Sequence, residues 1–130
     1  MTLDTQQLAE LTARLRERAA QLREEIRSTL ERSSDETHVQ LAHTVRDEGD
    51  DSFLDLIVHL NLSDIDRDAQ ELRRIDAALL RIQEGTFGYC SDCDQEIPWE
   101  RLRAEPTAVR CVRCQELYER THVSPSTPTM

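Results

Sequence analysis

The sequence predicts a mainly α fold: a long antiparallel coiled-coil hairpin projecting from a small four-cysteine module with a short C-terminal helix. Three observations carry this expectation. Apolar residues recur at steps of three and four over two long stretches, one on each side of an acidic segment at 47–51. Aromatic residues make up 4% of the chain and charged residues 32%, which suits helices that bury a narrow stripe rather than a thick core. All four cysteines fall between residues 90 and 114, in two C-x-x-C pairs. With three Gly in 130 residues, an all-β sandwich with many tight turns is not expected.

The first stretch opens at Asp4, which can cap a helix, with Gln7 three residues on to reach back. Leu8, Leu11, Leu15, Ala19, Leu22, Ile26 and Leu30 then form one stripe. Ser33-Ser34-Asp35 weakens the pattern, and Val39, Ala42 and Val45 resume it. Helix is predicted through most of 5–46, with Ser33-Ser34 the place for a break. Asp47-Glu48-Gly49-Asp50-Asp51 reads as a turn built on Gly49. A second helix is predicted from near Ser52, with Asp55 completing a capping-box-like start. Its stripe is Leu56, Leu60, Ile65, Ala69, Leu72, Ile75, Leu79 and Ile82. Ile65, Leu72 and Leu79 lie at heptad spacing, as do Ile75 and Ile82, which is a coiled-coil seam. Gly85 stops it. A continuous helix over 52–84 would be roughly 50 Å long and would leave its stripe wet unless an antiparallel first helix covered it. The chain thus divides into a hairpin at 1–84 with an acidic tip near 47–52, a cysteine module and C-terminal helix at 85–122, and a Pro/Ser/Thr-rich tail at 123–130 that is expected to be disordered.

The formal net charge is -10, and every basic residue is Arg. Such acidity argues against generic binding to a phosphate backbone. Residues 37–64 hold Asp47, Glu48, Asp50, Asp51, Asp55 and Asp64 against one basic residue, Arg46. Charge runs are usually solvated faces; a functional reading pairs this one with a basic or metal-containing partner surface. No apolar run approaches the ~20 residues that span a bilayer, and no signal peptide is visible, so a cytoplasmic protein without a membrane partner is expected. In a reducing compartment, paired cysteines are metal ligands or redox groups rather than structural disulfides.

Cys90 and Cys93 are separated from Cys111 and Cys114 by residues 94–110. Each C-x-x-C turn presents two thiolates to one point, and two turns complete the tetrahedron that zinc prefers. The intervening segment is long enough to fold back, and Gly88 permits a tight turn before the first pair. One structural zinc is therefore predicted. A redox pair would leave the other cysteines without a role, and no thioredoxin-like βαβ pattern is present. A catalytic zinc needs an open position, which four thiolates close. His38, His43, His59 and His122 read as surface or packing residues. Phe87, Tyr89, Trp99 and, from the last helix, Tyr118 are expected to pack around the module.

Gly85-Thr86-Phe87-Gly88-Tyr89-Cys90-Ser91-Asp92-Cys93, then Ile97, Arg101-Leu102, Ala104, Pro106-Thr107-Ala108 and Cys111-Val112-Arg113-Cys114 resemble the zinc-finger signature of the DksA/TraR family of bacterial transcription regulators. The resemblance implies a helical hairpin that enters the secondary channel of RNA polymerase and brings an acidic tip towards the active centre. In some members the tip carries D-x-x-D followed, after one residue, by Ala. Asp47-Glu48-Gly49-Asp50 matches that spacing, with Asp51 next and Ser52 where Ala would stand. Asp94 replaces a Gly frequent after the second cysteine. Some members respond to ppGpp. Arg67 and Arg74 match basic helix positions of these members, but Gln115 replaces a basic residue, so ppGpp is not predicted as a cofactor.

The resulting expectation is a non-enzymatic, monomeric regulator that binds RNA polymerase directly, acts through Asp47, Asp50, Asp51 and Ser52, and makes no sequence-specific DNA contacts. The alternative is a zinc-stabilised helical protein-binding module, in which Phe53, Ile57 and Leu62 would be exposed and would make the contacts. A nucleic-acid-binding zinc ribbon draws on Arg101, Arg103, Arg110 and Arg113, against the net acidity of residues 90–130.

Overall fold

The computed structural model describes residues 3–45, 53–60 and 63–122. In chain order, the elements are α1 (Thr5–Glu31), α2 (Glu36–Ala42), α3 (Phe53–Leu60), α4 (Ser63–Glu84), α5 (Trp99–Ala104) and α6 (Val112–Thr121). Asp47, Asp50, Asp51, Ser52 and Leu62 lie outside the described residues, as does the tail at 123–130. No described helix is long and apolar enough to cross a membrane.

The start of α1 is the reciprocal cap expected. The Gln7 amide donates to Asp4 Oδ1 at 2.7 Å, and the Asp4 amide donates to Gln7 Oε1 at 3.1 Å. The stripe then buries as read: Leu11, Leu15, Ala19, Leu22, Ile26 and Leu30 are all enclosed, with Leu8 half-buried. Its partner is α4, through Ile65, Ala69, Leu72, Ile75 and Ala78. The pair is antiparallel. α4 runs into the cysteine module at Gly85. The start of α1 is at the same end: Leu3 Cδ1 lies 3.4 Å from where a Cβ on Gly88 would sit, and Arg14 donates to the Arg103 carbonyl at 2.8 Å. One forked ion pair spans the seam, with Arg18 on both oxygens of Glu71 at 2.7 and 3.0 Å. That contact holds the Glu71 carboxyl below its ordinary range. Nearby, Glu25 faces Asp68, and the shared proton and like charge raise it.

The helix ends follow local rules. α1 stops at Arg32, and Asp35 caps α2 by accepting from the Thr37 amide at 2.8 Å. The break therefore falls at the serines, where side chains that bond to nearby backbone compete with a helix. At the end of α4, the Thr86 amide donates to the Arg81 carbonyl at 2.9 Å and the Gly85 amide to Ile82 at 3.2 Å. Gly85 has φ +79°, which makes this a Schellman stop that favours glycine.

The outer part of the hairpin differs from the prediction. α2 packs back against α1, and α3 packs against α4 rather than extending it. Asp55 on α3 accepts from Arg73 on α4 at 2.8 Å, although a continuous helix would place them roughly 27 Å apart. The second helix is thus not one element over 52–84. Periodicity could not reveal this, because a stripe reads the same whether its helix runs straight on or folds back. The packing also changes which residues are inside. Phe53, Leu54 and Ile57 are buried and Leu56 is 53% exposed, so Leu56 leaves the expected stripe. Phe53 and Ile57, each 1% exposed, are not free to bind a partner as the binding-module alternative required.

Candidate metal centre

The first C-x-x-C turn is shaped by its backbone. Gly88 has φ +97°, and its carbonyl accepts from the Ile97 amide at 2.8 Å. Tyr89 and Glu96 form an isolated antiparallel bridge, and the Cys90 amide donates to the Gln95 carbonyl at 2.8 Å. The chain reverses at Asp94, the only described non-Gly residue with positive φ, at +62°. Glycine would meet no steric cost there, and Asp is among the few side chains that tolerate it. The second turn is the start of α6. Cys111 is its N-cap, with Sγ accepting from the Cys114 amide at 3.5 Å. The Ser91 amide donates to the Val109 carbonyl at 2.8 Å and ties the two turns together.

These turns bring Cys90, Cys93, Cys111 and Cys114 together, with all four Sγ atoms within 4.8 Å of one another. Cys93 Sγ and Cys111 Sγ are 3.9 Å apart. Four ligands on a tetrahedral zinc at about 2.3 Å would sit about 3.8 Å from each other, so the spacing fits the metal. It does not fit a disulfide at about 2 Å, and all four thiols are free. Cys90 and Cys114 are buried, while Cys93 and Cys111 are half-buried. Phe87, Ile97 and Leu102 form the floor. Trp99 packs against this core as expected, but Tyr89 is 39% exposed and does not.

The thiols hold their protons unequally. Burial pushes Cys90 up, but backbone amides of Cys111, Cys93 and Asp92 converge on its sulfur and together bring it down to about 6. Cys114 is pushed up to about 12, first by its bond to Cys111 and then by burial and the other two sulfurs. Cys93 is raised as well: the Gln95 amide lowers it, but burial and the neighbouring thiols prevail. Four sulfurs this close cannot all ionise without a cation among them.

Residues 85–120 match the family model described as the prokaryotic dksA/traR C4-type zinc finger. The chain belongs to the DksA/TraR family. It is 36% identical over 85 residues to the RNA polymerase-binding transcription factor DksA of Caulobacter vibrioides, a span covering 65% of this chain and 55% of that one. It is 33% identical over 99 residues to the protein of the same name from Escherichia coli K12, covering 76% and 62%. The match thus spans less than two thirds of either relative's length. Among solved structures, transcription factor DksA2 from Pseudomonas aeruginosa has a TM-score of 0.60 at 26% identity, covering 93% of this chain and 89% of that one.

The DksA/TraR finger in this chain holds one structural zinc, and zinc supplies the positive charge that lets four thiolates coexist. With the turns closed and no metal between them, the geometry favours ionised Cys90 and protonated Cys93 and Cys114 at pH 7. Once metal loss opens the finger, these thiols return to the ordinary value of about 8.5 and keep their protons at that pH. Zinc binding at that pH should therefore release at least two protons per metal, measurable by titration in weakly buffered solution with a pH indicator.

The module also contains contacts that spacing did not reveal. Of the four arginines read as a nucleic-acid face, two serve the module internally. Arg101 Nε donates to the Arg110 carbonyl at 2.8 Å, and Arg110 Nε donates to Asp92 Oδ2 at 2.8 Å. This removes half of the basic face on which the zinc-ribbon reading relied.

Proposed function

We propose that this protein is a transcription regulator, not an enzyme, which binds RNA polymerase directly and inserts an acidic hairpin tip into the secondary channel to modulate initiation. The observation that carries this is the combination of a DksA/TraR finger with an antiparallel α1–α4 pair rooted in it. Two relatives in sequence, 36% and 33% identical over the matched spans, are named RNA polymerase-binding transcription factors. The acids lie in sequence between α2 and α3. In this reading, Asp47 and Asp50 act at the tip with Asp51 and Ser52 as neighbours, and clustered negative charge steers the loop towards a basic channel. The zinc module holds the base of the arms, and the protein works as a monomer in the cytoplasm. Chain segments 1–84, 85–122 and 123–130 serve as hairpin, finger with its helix, and tail.

The test is binding of the zinc-loaded protein to bacterial RNA polymerase core in competition with a known secondary-channel ligand. Competitive binding at micromolar concentration or below is expected. Absence of binding, with zinc content and helicity intact, would overturn the proposal and leave a zinc-stabilised module for another protein partner.

A further inference from the structure

Arg110 immediately precedes the third zinc ligand and touches three separate parts of the module. Its Nε donates to Asp92, which sits between the first two ligands. Its guanidinium carbon lies 3.9 Å from the centroid of the Tyr118 ring on α6, and that ring stacks on His122 at 4.0 Å. Its carbonyl accepts from Arg101 on α5. We propose that Arg110 is a latch for the metal: it staples the two C-x-x-C turns to each other and to α6 outside the coordination sphere, and thereby sets how slowly zinc leaves.

The physical reason is geometric and electrostatic. Zinc escapes when one C-x-x-C turn swings away from the other. The backbone bond from Ser91 to Val109 opposes that swing on one side, and the Asp92–Arg110 ion pair adds a second link. The pair is partly shielded, with the Arg110 side chain 21% exposed and the Asp92 side chain 43% exposed. Stacking on Tyr118 fixes the guanidinium plane, so that little side-chain freedom is lost when it meets the carboxylate. A four-thiolate zinc site carries a net charge of about -2, and a guanidinium next to it in sequence offsets part of that. Partners that tune a metal from beyond its ligands commonly change retention by about ten- to a hundredfold.

The experiment measures zinc release from the full-length, zinc-loaded chain into excess chromogenic chelator. Arg110→Leu keeps apolar volume against Tyr118 but removes the ion pair, and should release zinc about tenfold faster. Arg110→Lys, which keeps the charge but loses the stacked planar fork, should fall between that variant and the parent. Salt separates a latch from a general packing role. Added sodium chloride should speed release from the parent chain by screening the pair, and should have little effect on Arg110→Leu. If Arg110→Leu fails to load zinc, Asp92→Asn decides: faster release supports the latch, and parental release overturns it. Parental release from a loaded Arg110→Leu chain would also overturn it, as would an unchanged salt response.

Discussion

Withdrawing zinc should unfold the finger while leaving the α1–α4 pair helical. The expectation follows from what each half has to hold it. The seam encloses Leu11, Leu15, Leu22, Ile26 and Leu30 from one helix and Ile65, Leu72 and Ile75 from the other. Each such side chain contributes about 1.5–3 kcal/mol when removed from water. The finger buries far less: Phe87, Ile97 and Leu102, with Leu3 beneath Gly88. Its regular structure is α5, α6 and one isolated bridge. Zinc binding to such modules supplies about 10–16 kcal/mol, against about 6–12 kcal/mol from those four side chains, which alone do not offset the cost of ordering the segment. A strong chelator at neutral pH, or Cys90→Ser with Cys114→Ser, should therefore abolish zinc content and lower the far-ultraviolet helix signal by about a fifth, the share of α5 and α6 among described helical residues. Proteolysis should then cut within residues 85–122. A full loss of helicity would show that the arms depend on the metal, and an unchanged signal would show that the finger stands without it.

The parts of this architecture that sequence reveals are those governed by short-range rules. A stripe at a period near 3.6 must bury if the helix forms, so Leu11 to Leu30 could be assigned to the seam from the sequence alone. The Asp4–Gln7 cap and the Gly85 stop are equally local. The zinc site was legible because two C-x-x-C turns satisfy a four-ligand requirement with no residue over. What escaped are contacts between residues far apart in sequence. Nothing in the order of residues says that Asp55 meets Arg73, and so nothing said that α3 folds back along α4 and hides Phe53 and Ile57. At residues 53–57 the apolar positions fit more than one helical face, and tertiary packing chose the face that leaves Leu56 outside. Likewise Arg110 looked like one of several surface arginines, because its partners, Asp92 and Tyr118, are brought to it only when the finger closes. The departure at Asp94 acquires a reason: its φ of +62° marks the backbone position where glycine is otherwise favoured.

The other large effect is functional. Changing Asp47 and Asp50 together to Asn should leave polymerase binding within a few-fold of the parent while cutting the transcriptional effect by about tenfold or more, as expected if each carboxylate's charge-assisted contacts are lost. Asn matches Asp in size and also favours turns, so the substitution removes two charges with little change in backbone preference. Docking in the proposed reading depends on the finger and the arms, neither of which the double variant touches. The tip acts after docking, where carboxylates close to a catalytic magnesium ion or its mobile surroundings can alter their arrangement. Loss of steering should slow association at low salt, and that difference should fade as salt rises. The measurement is paired: competitive binding to core polymerase, and initiation from a promoter that responds to the parent protein. If binding and output fall together, the acids serve docking rather than the active centre. If output is unchanged, the insertion mechanism fails even though the polymerase partnership stands, and the acidic segment between α2 and α3 does not act on the active centre.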